Sequence, residues 1–274
     1  MKLLFSEQNS DYATYQFPYV IWAVPEAGEA PGDLFNAGFL PSSAGLGHFT
    51  LSRNVRVDLA KFQASSENRR ILRKGEGIKM QLLPRAEFDF SRERQESYGK
   101  YAAARFGEGV MPPERLELVF NSPVATHVLL FADAPSGAEL GVVVLYLETP
   151  RLAFYRYAFY DLNHFNRNLG MFMMTAAVAD FAARGIRHLY LGTCYSERAL
   201  YKTQFAGVEF FNGFRWSEDL DELKFLIARD QKKLPENLLE NLEYWSQFHG
   251  DGLAKITESS AFGVKLKLEQ NIGV

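Results

Sequence analysis

The sequence predicts an α+β protein, with a mixed, mostly antiparallel sheet flanked by helices in its second half and a smaller N-terminal α/β lobe before it. Three observations predict this. Residues 125–160 contain three β-prone apolar runs separated by turn residues, the pattern of an antiparallel meander. A helical run closed by Gly185 and a further strand come next. A first third of different character, aromatic and then basic, is set off by Gly107, Gly109 and Pro112-Pro113. The lobes are placed at 1–110 and 111–274, with the boundary inside 84–115.

In chain order, 12–24 are aromatic and β-prone, and 25–47, rich in Pro, Gly, Ala and Ser, read as a long loop carrying Phe35-Asn-Ala-Gly-Phe39. Residues 49–59 alternate as a strand. Between Arg53 and Lys79 eight basic residues face three acidic ones, in a chain whose formal net charge is -3. Ser91 caps a helix to about Phe106. Strands follow at 125–132, 140–147 and 152–160, then a loop 161–168 and a helix 170–184. Strand 186–191, a short helix 196–205, strand 208–216, a solvated helix 218–233 and a last helix to about 248 complete the order.

At 274 residues and 47% hydrophobic content the chain builds one large or two medium domains. The acidic balance excludes a molecule that is basic throughout, and no DNA partner is expected. Cys194 is the sole cysteine, which excludes an internal disulfide and a multi-cysteine metal site and suits a reducing compartment. The five histidines lack ligand spacing, so no metal is expected. The apolar start is too short for a secretion signal, and no run approaches the roughly 20 residues of a membrane span. A cytoplasmic location without membrane contact is expected.

Two motifs bear on chemistry. Arg167-Asn-Leu-Gly170 stands at a helix start, where a glycine admits a ligand and free N–H groups favour an anion. Glu197-Arg-Ala-Leu-Tyr201-Lys-Thr-Gln-Phe205 carries a phenol able to protonate a leaving group. Each also has a plain structural reading, as a helix cap and as a core tyrosine. The first resembles the Arg/Gln-x-x-Gly-x-Gly/Ala loop of GNAT acyltransferases, and the second resembles their Ala-x-x-Leu-Tyr helix. Phe172 replaces the small residue of the first motif, which is expected to hinder a coenzyme A pyrophosphate.

A narrower resemblance joins further segments. Leu191-Gly-Thr-Cys-Tyr195 with Tyr201-Lys202-x-x-Phe205, Tyr157-Ala-Phe159-Tyr160-Asp161, Asn168-Leu169-Gly170, Tyr98-x-x-Tyr101-x-x-x-Arg105 and Val55-Arg56-Val57 through Arg69-Arg70 are collinear, and the set resembles the arginyl- and leucyl-tRNA–protein transferases. The chain departs from that family in lacking its N-terminal cysteine cluster, with Pro18-Tyr19-Val20 at the first expected cysteine, and in having Leu40-Pro41 after Gly38-Phe39 in place of Arg-Arg.

The resemblance implies a GNAT-like acyl-transfer domain that moves an amino acid from aminoacyl-tRNA onto a free amine, such as a protein or peptide N-terminus, with no cofactor beyond the tRNA co-substrate. It assigns Tyr201 and Asp161 to catalysis. Donor binding falls to Arg167, Leu169, Gly170, Leu191, Gly192, Tyr195 and Lys202, and the acceptor pocket to Tyr157, Phe159 and Tyr160. Arg53, Arg69, Arg70 and Arg73 are expected to contact tRNA phosphates. The alternatives are an N-acetyltransferase using acetyl-CoA and a non-catalytic tRNA- or peptide-binding relative.

Overall fold

The computed structural model describes residues 1–11, 13, 16–42, 45–232, 236–250 and 252–262, without the side chains of 165–167. In the first third, β1 (Lys2–Glu7), β2 (Tyr19–Val24), α1 (Pro31–Asn36), β3 (Phe39–Pro41) and β4 (Phe49–Leu51) precede β5 (Asn54–Asp58), α2 (Ser66–Lys74) and β6 (Ile78–Pro84). Then come α3 (Arg92–Phe106), α4 (Pro113–Asn121), β7 (His127–Asp133), β8 (Glu139–Glu148), β9 (Leu152–Tyr160), α5 (Leu169–Ala183) and β10 (His188–Thr193). The described part ends with β11 (Val208–Phe211), β12 (Trp216–Ser217), α6 (Leu220–Lys232), α7 (Leu242–Phe248) and α8 (Leu253–Ser259).

The sheet is mixed and mostly antiparallel, as expected. Eight strands run in the order β12-β11-β5-β10-β9-β8-β7-β6, and a separate four-stranded sheet runs β1-β2-β4-β3. Strand β8 is central and covered on both faces, which its unbroken Leu-Gly-Val-Val-Val-Leu-Tyr run anticipates. Its Val143 and Leu145 point into a core shared with α5 and α6, while Val142 and Val144 meet aromatic residues of α3 and α4. Leu152, Phe154 and Tyr190 pack instead against the small sheet and α1. Nine of the fifteen residues of α5 are buried, so this helix is core on nearly every side.

The segment read as one strand over 49–59 is two strands in different sheets. Phe49–Leu51 joins the small sheet, and Asn54–Asp58 lies between β10 and β11 in the large one. The bend is pinned by the fully buried Asn54, whose amide donates to Gly38 O (2.9 Å) and Ser52 O (3.2 Å). A division near residue 110 therefore does not divide the sheet, because β5 and β6 are both strands of it. The Ser91 cap is present, its hydroxyl accepting from Arg94 N–H. The 25–47 segment, read as loop, contains α1 and β3.

Candidate active site

Strands β9 and β10 are parallel neighbours, but they pair only from Leu152↔His188 to Phe154↔Tyr190. Past that point they part. Each carries a bulge at the fork. The β9 register against β8 shifts between Tyr155 and Tyr157, leaving Arg156 as the extra residue. The β10 register against β5 shifts between Tyr190 and Gly192, leaving Leu191. Bulges interrupt a ladder and re-aim side chains, and here the two face each other. Gly192 follows with φ +82°, a conformation that disfavours any side chain.

The fork opens into a cavity of about 650 Å³ beside the start of α5 and another of about 480 Å³ beside β3 and α4. Arg156, Tyr157, Leu191 and Lys202 line both, so the two cavities lie back to back across the gap. The first is walled by aromatic rings, among them Tyr101, Tyr155, Tyr160 and Tyr201, with Met171 and Met174 at its base.

Tyr201 sits on a 3-10 turn, Glu197–Thr203, with about half its surface exposed to the first cavity. Partial burial, with the neighbouring Tyr160 and Cys194, pushes its phenol above the usual range, so it holds its proton at neutral pH. Next to it, Lys202 donates from Nζ to Thr193 O (2.8 Å), and burial draws its ammonium below the usual lysine range. Tyr160 Oη accepts from Arg105 Nη2 (2.9 Å), and its ring lies 4.8 Å from that of Tyr101. Gly170 makes this possible, because a Cβ there would stand 2.7 Å from Tyr160 Oη.

The other expected residues are dispersed. Leu169 is core, and Leu191 is a buried wall residue. Gly192 lines the second cavity. Phe159 is fully buried between Tyr98 and Phe120 and does not line the fork. Tyr195 accepts from Arg53 N–H (2.8 Å) outside both cavities. Asp161 caps its own turn, accepting from Asn163 N–H (2.8 Å) and facing His164 Nδ1 (3.0 Å). Burial alone would raise its carboxyl, but those hydrogen bonds outweigh burial and hold it below the usual range. Its cavity is a third one, shared with Asp89 and Glu139. Arg167 ends a 3-10 segment, Leu162–Arg167, and its side chain lies outside the described residues.

Among the arginines expected at tRNA, Arg53 is committed to Asp230 (2.7 Å) and stacks on Tyr195 (5.0 Å). Arg70 pairs with Glu67 along α2, and Arg69 bonds Ala64 O. Both lie on the exposed side of α2 with Arg73. Phe172 does not obstruct the start of α5. Its ring is buried against Phe131 and over Gly75. The sequence reading passed over Arg156, Arg115 and Arg198, all cavity-lining. Simple alternation does not mark Arg156, because the bulge puts Tyr155 and Tyr157 on opposite faces of the sheet.

Cys194 is fully buried, and burial pushes its thiol up, which is unsuited to nucleophilic attack. No helix among the described residues is long and apolar enough to cross a membrane.

No family model matches the chain. The aspartate/glutamate leucyltransferase of Marinobacter nauticus is 30% identical over 169 residues, covering 60% of this chain and 69% of that protein. The chain belongs to the aspartate/glutamate leucyltransferase family. The enzyme of the same name from Ruegeria pomeroyi is 26% identical over 175 residues, covering 61% of this chain and 62% of its own length. The match thus spans somewhat under two thirds to just over two thirds of these relatives. Among solved structures, a GCN5-related N-acetyltransferase from Sphaerobacter thermophilus superimposes with a TM-score of 0.32 at 13% identity, covering 58% of this chain and 45% of the other.

Proposed function

We propose that this member of the family transfers an amino acid, leucine, from its tRNA ester to the free N-terminal amine of a protein or peptide that begins with aspartate or glutamate. The fork between β9 and β10, open to both faces of the sheet and walled by a protonated phenol, carries this reading. The relatives' printed names supply the leucyl group and the acidic acceptor.

The donor enters from the α5 side, where aromatic rings suit an unpaired terminal adenosine and Met171, Met174 and Leu191 suit a leucine side chain. The acceptor enters from the β3 and α4 side. The neutral amine attacks the ester carbonyl, the C–N bond forms and the bond to the ribose oxygen breaks. Tyr201 gives its proton to that oxygen and is restored by the proton the amine sheds. Most of the acceleration comes from holding amine and ester in contact, with proton transfer contributing the rest. Exposed Arg69, Arg70 and Arg73 on α2, which packs against α5, are the proposed phosphate contacts. A tRNA donor supports the expected cytoplasmic location.

The acetyl-CoA alternative meets an obstacle in Tyr160, whose ring covers the Gly170 surface that a pyrophosphate approaches in the resemblance. The test is to incubate the protein with leucyl-tRNA and peptides starting with Asp or Glu. Labelled leucine moves to the peptide if the reading holds. Unconsumed leucyl-tRNA together with micromolar acetyl-CoA binding overturns it in favour of acetyl transfer.

A further inference from the structure

The walls of the fork are charged in one sense only. Arg105, Arg115, Arg156, Arg198 and Lys202 line its two cavities and, among the described residues, no aspartate or glutamate does, although the chain as a whole is acidic. Arg156 stands at the junction. Its two hydrogen bonds run from Nη1 to neutral oxygens, Val119 O (3.3 Å) and Ser122 Oγ (3.1 Å), and its guanidinium lies 5.4 Å from the Tyr157 ring centroid. No carboxylate among the described residues pairs with it, and its Nε–Nη2 edge, the edge that grips a carboxylate side-on, carries no hydrogen bond.

A half-buried cation without a counter-charge is costly to keep. Burial draws the Arg156 guanidinium below the usual arginine range, with the Arg115 charge acting in the same sense. The cost is recovered when a ligand brings the missing anion. Arg156, the extra residue of the β9 bulge, lines both cavities of the fork together with Lys202 and Leu191.

Resting on the transferase reading, we infer that Arg156, with Arg115 beside it at the mouth of the second cavity, binds the side-chain carboxylate of the acceptor's first residue and sets the preference for an acidic N-terminus. Arg105 and Arg198 line only the other cavity and remain for donor phosphates. The bidentate geometry distinguishes carboxylate from carboxamide, because an amide can accept only one of the two N–H groups without opposing donors.

The test uses the full chain and two variants, Arg156→Gln and Arg115→Gln, each checked for an unchanged thermal midpoint. Arg115 is exposed and its replacement leaves the fold intact. Two readouts run in parallel: leucine transfer to peptides beginning with Asp or Asn, and direct binding of the same labelled peptides without tRNA. The wild type favours Asp over Asn in both. Arg156→Gln lowers kcat/KM for the Asp peptide by about 10- to 100-fold, Arg115→Gln by less, and neither changes the Asn peptide or leucyl-tRNA affinity by more than about twofold. An equal loss on both peptides, or a loss of tRNA affinity that assigns Arg156 to a phosphate, overturns the inference while leaving the transferase reading in place. Selective Asp-peptide binding that Arg156→Gln abolishes, in a protein that consumes no charged tRNA, sinks the transferase reading and leaves this one standing.

Discussion

Adding one methyl group at Gly170 separates two jobs a glycine can do at this helix start: admitting a ligand or admitting Tyr160. A Cβ built at Gly170 stands 2.7 Å from Tyr160 Oη, 2.8 Å from Cζ and 3.0 Å from Cε1. The ring cannot simply swing away, since Arg105 holds its hydroxyl at 2.9 Å and Tyr101 packs against it. Overpacking of this kind costs about 1–3 kcal/mol, and the alanine returns at most about 1 kcal/mol of helix propensity. Gly170→Ala is therefore expected to lose about 1 kcal/mol, or roughly 2–4 °C in thermal midpoint. In a Tyr160→Ala background the space is vacant, and the same methyl becomes neutral or slightly stabilising. The coupling between the two positions is about 1–3 kcal/mol, to be read from urea midpoints of the four proteins of the cycle. Equal effects of Gly170→Ala in both backgrounds would refute the reasoning and return the glycine to the role of ligand contact.

Tyr201→Phe removes only the proton donor, so kcat falls by about 100-fold while leucyl-tRNA affinity is unchanged; an unaltered kcat removes Tyr201 from the chemistry. Arg73→Ala lowers the slope of log affinity for tRNA against log salt by about 1. Arg53→Ala leaves that slope alone and shows itself as lost stability, because its charge is already taken by Asp230. Burial, with help from Arg56, lowers His188 from 6.5 to about 4. The unfolded chain thus binds the extra proton first. Stability from this group is intact above about pH 6.5, declines as the pH falls through about 4, and amounts to at most about 3 kcal/mol. A His188→Gln variant with the same acid slope as the wild type counts against this.

The sequence reading reached furthest where local pattern decides structure. Strand β9 was expected over Leu152–Tyr160 and forms there, and the Ser91 cap starts α3. It fell short where the cue was too brief or distant. Helix α1 spans six residues behind Ala30, too few to display a period. Pro113 reads as punctuation, yet it is the first residue of α4, a position that suits its missing N–H. Strand β6 does alternate, with Ile78, Met80 and Leu82 half-buried and Lys79 and Gln81 exposed, but the reading of the basic residues from Arg53 to Lys79 as one charged segment passed over it. Of the residues that the resemblance singled out, Tyr201, Lys202, Tyr157, Tyr160, Gly170, Leu191 and Gly192 line the two cavities of the fork. Phe159, Tyr195 and Arg53 sit elsewhere because packing among aromatic rings and a long-range ion pair decide their places. Arg156 escaped notice because a bulge exists only once β8 and β9 are in register.

The placement of β5 has a consequence for how the molecule comes into being. This strand is made early, but both neighbours that clasp it, β10 and β11, belong to the far part of the chain. During synthesis it must wait uncompleted until they emerge, and contacts so widely separated in sequence slow folding. Cutting the gene near codon 110 would strip β10 of the partner opposite the fork, exposing a raw edge and letting the fork lose its shape. The front third of the chain is in this sense the back wall of the workshop.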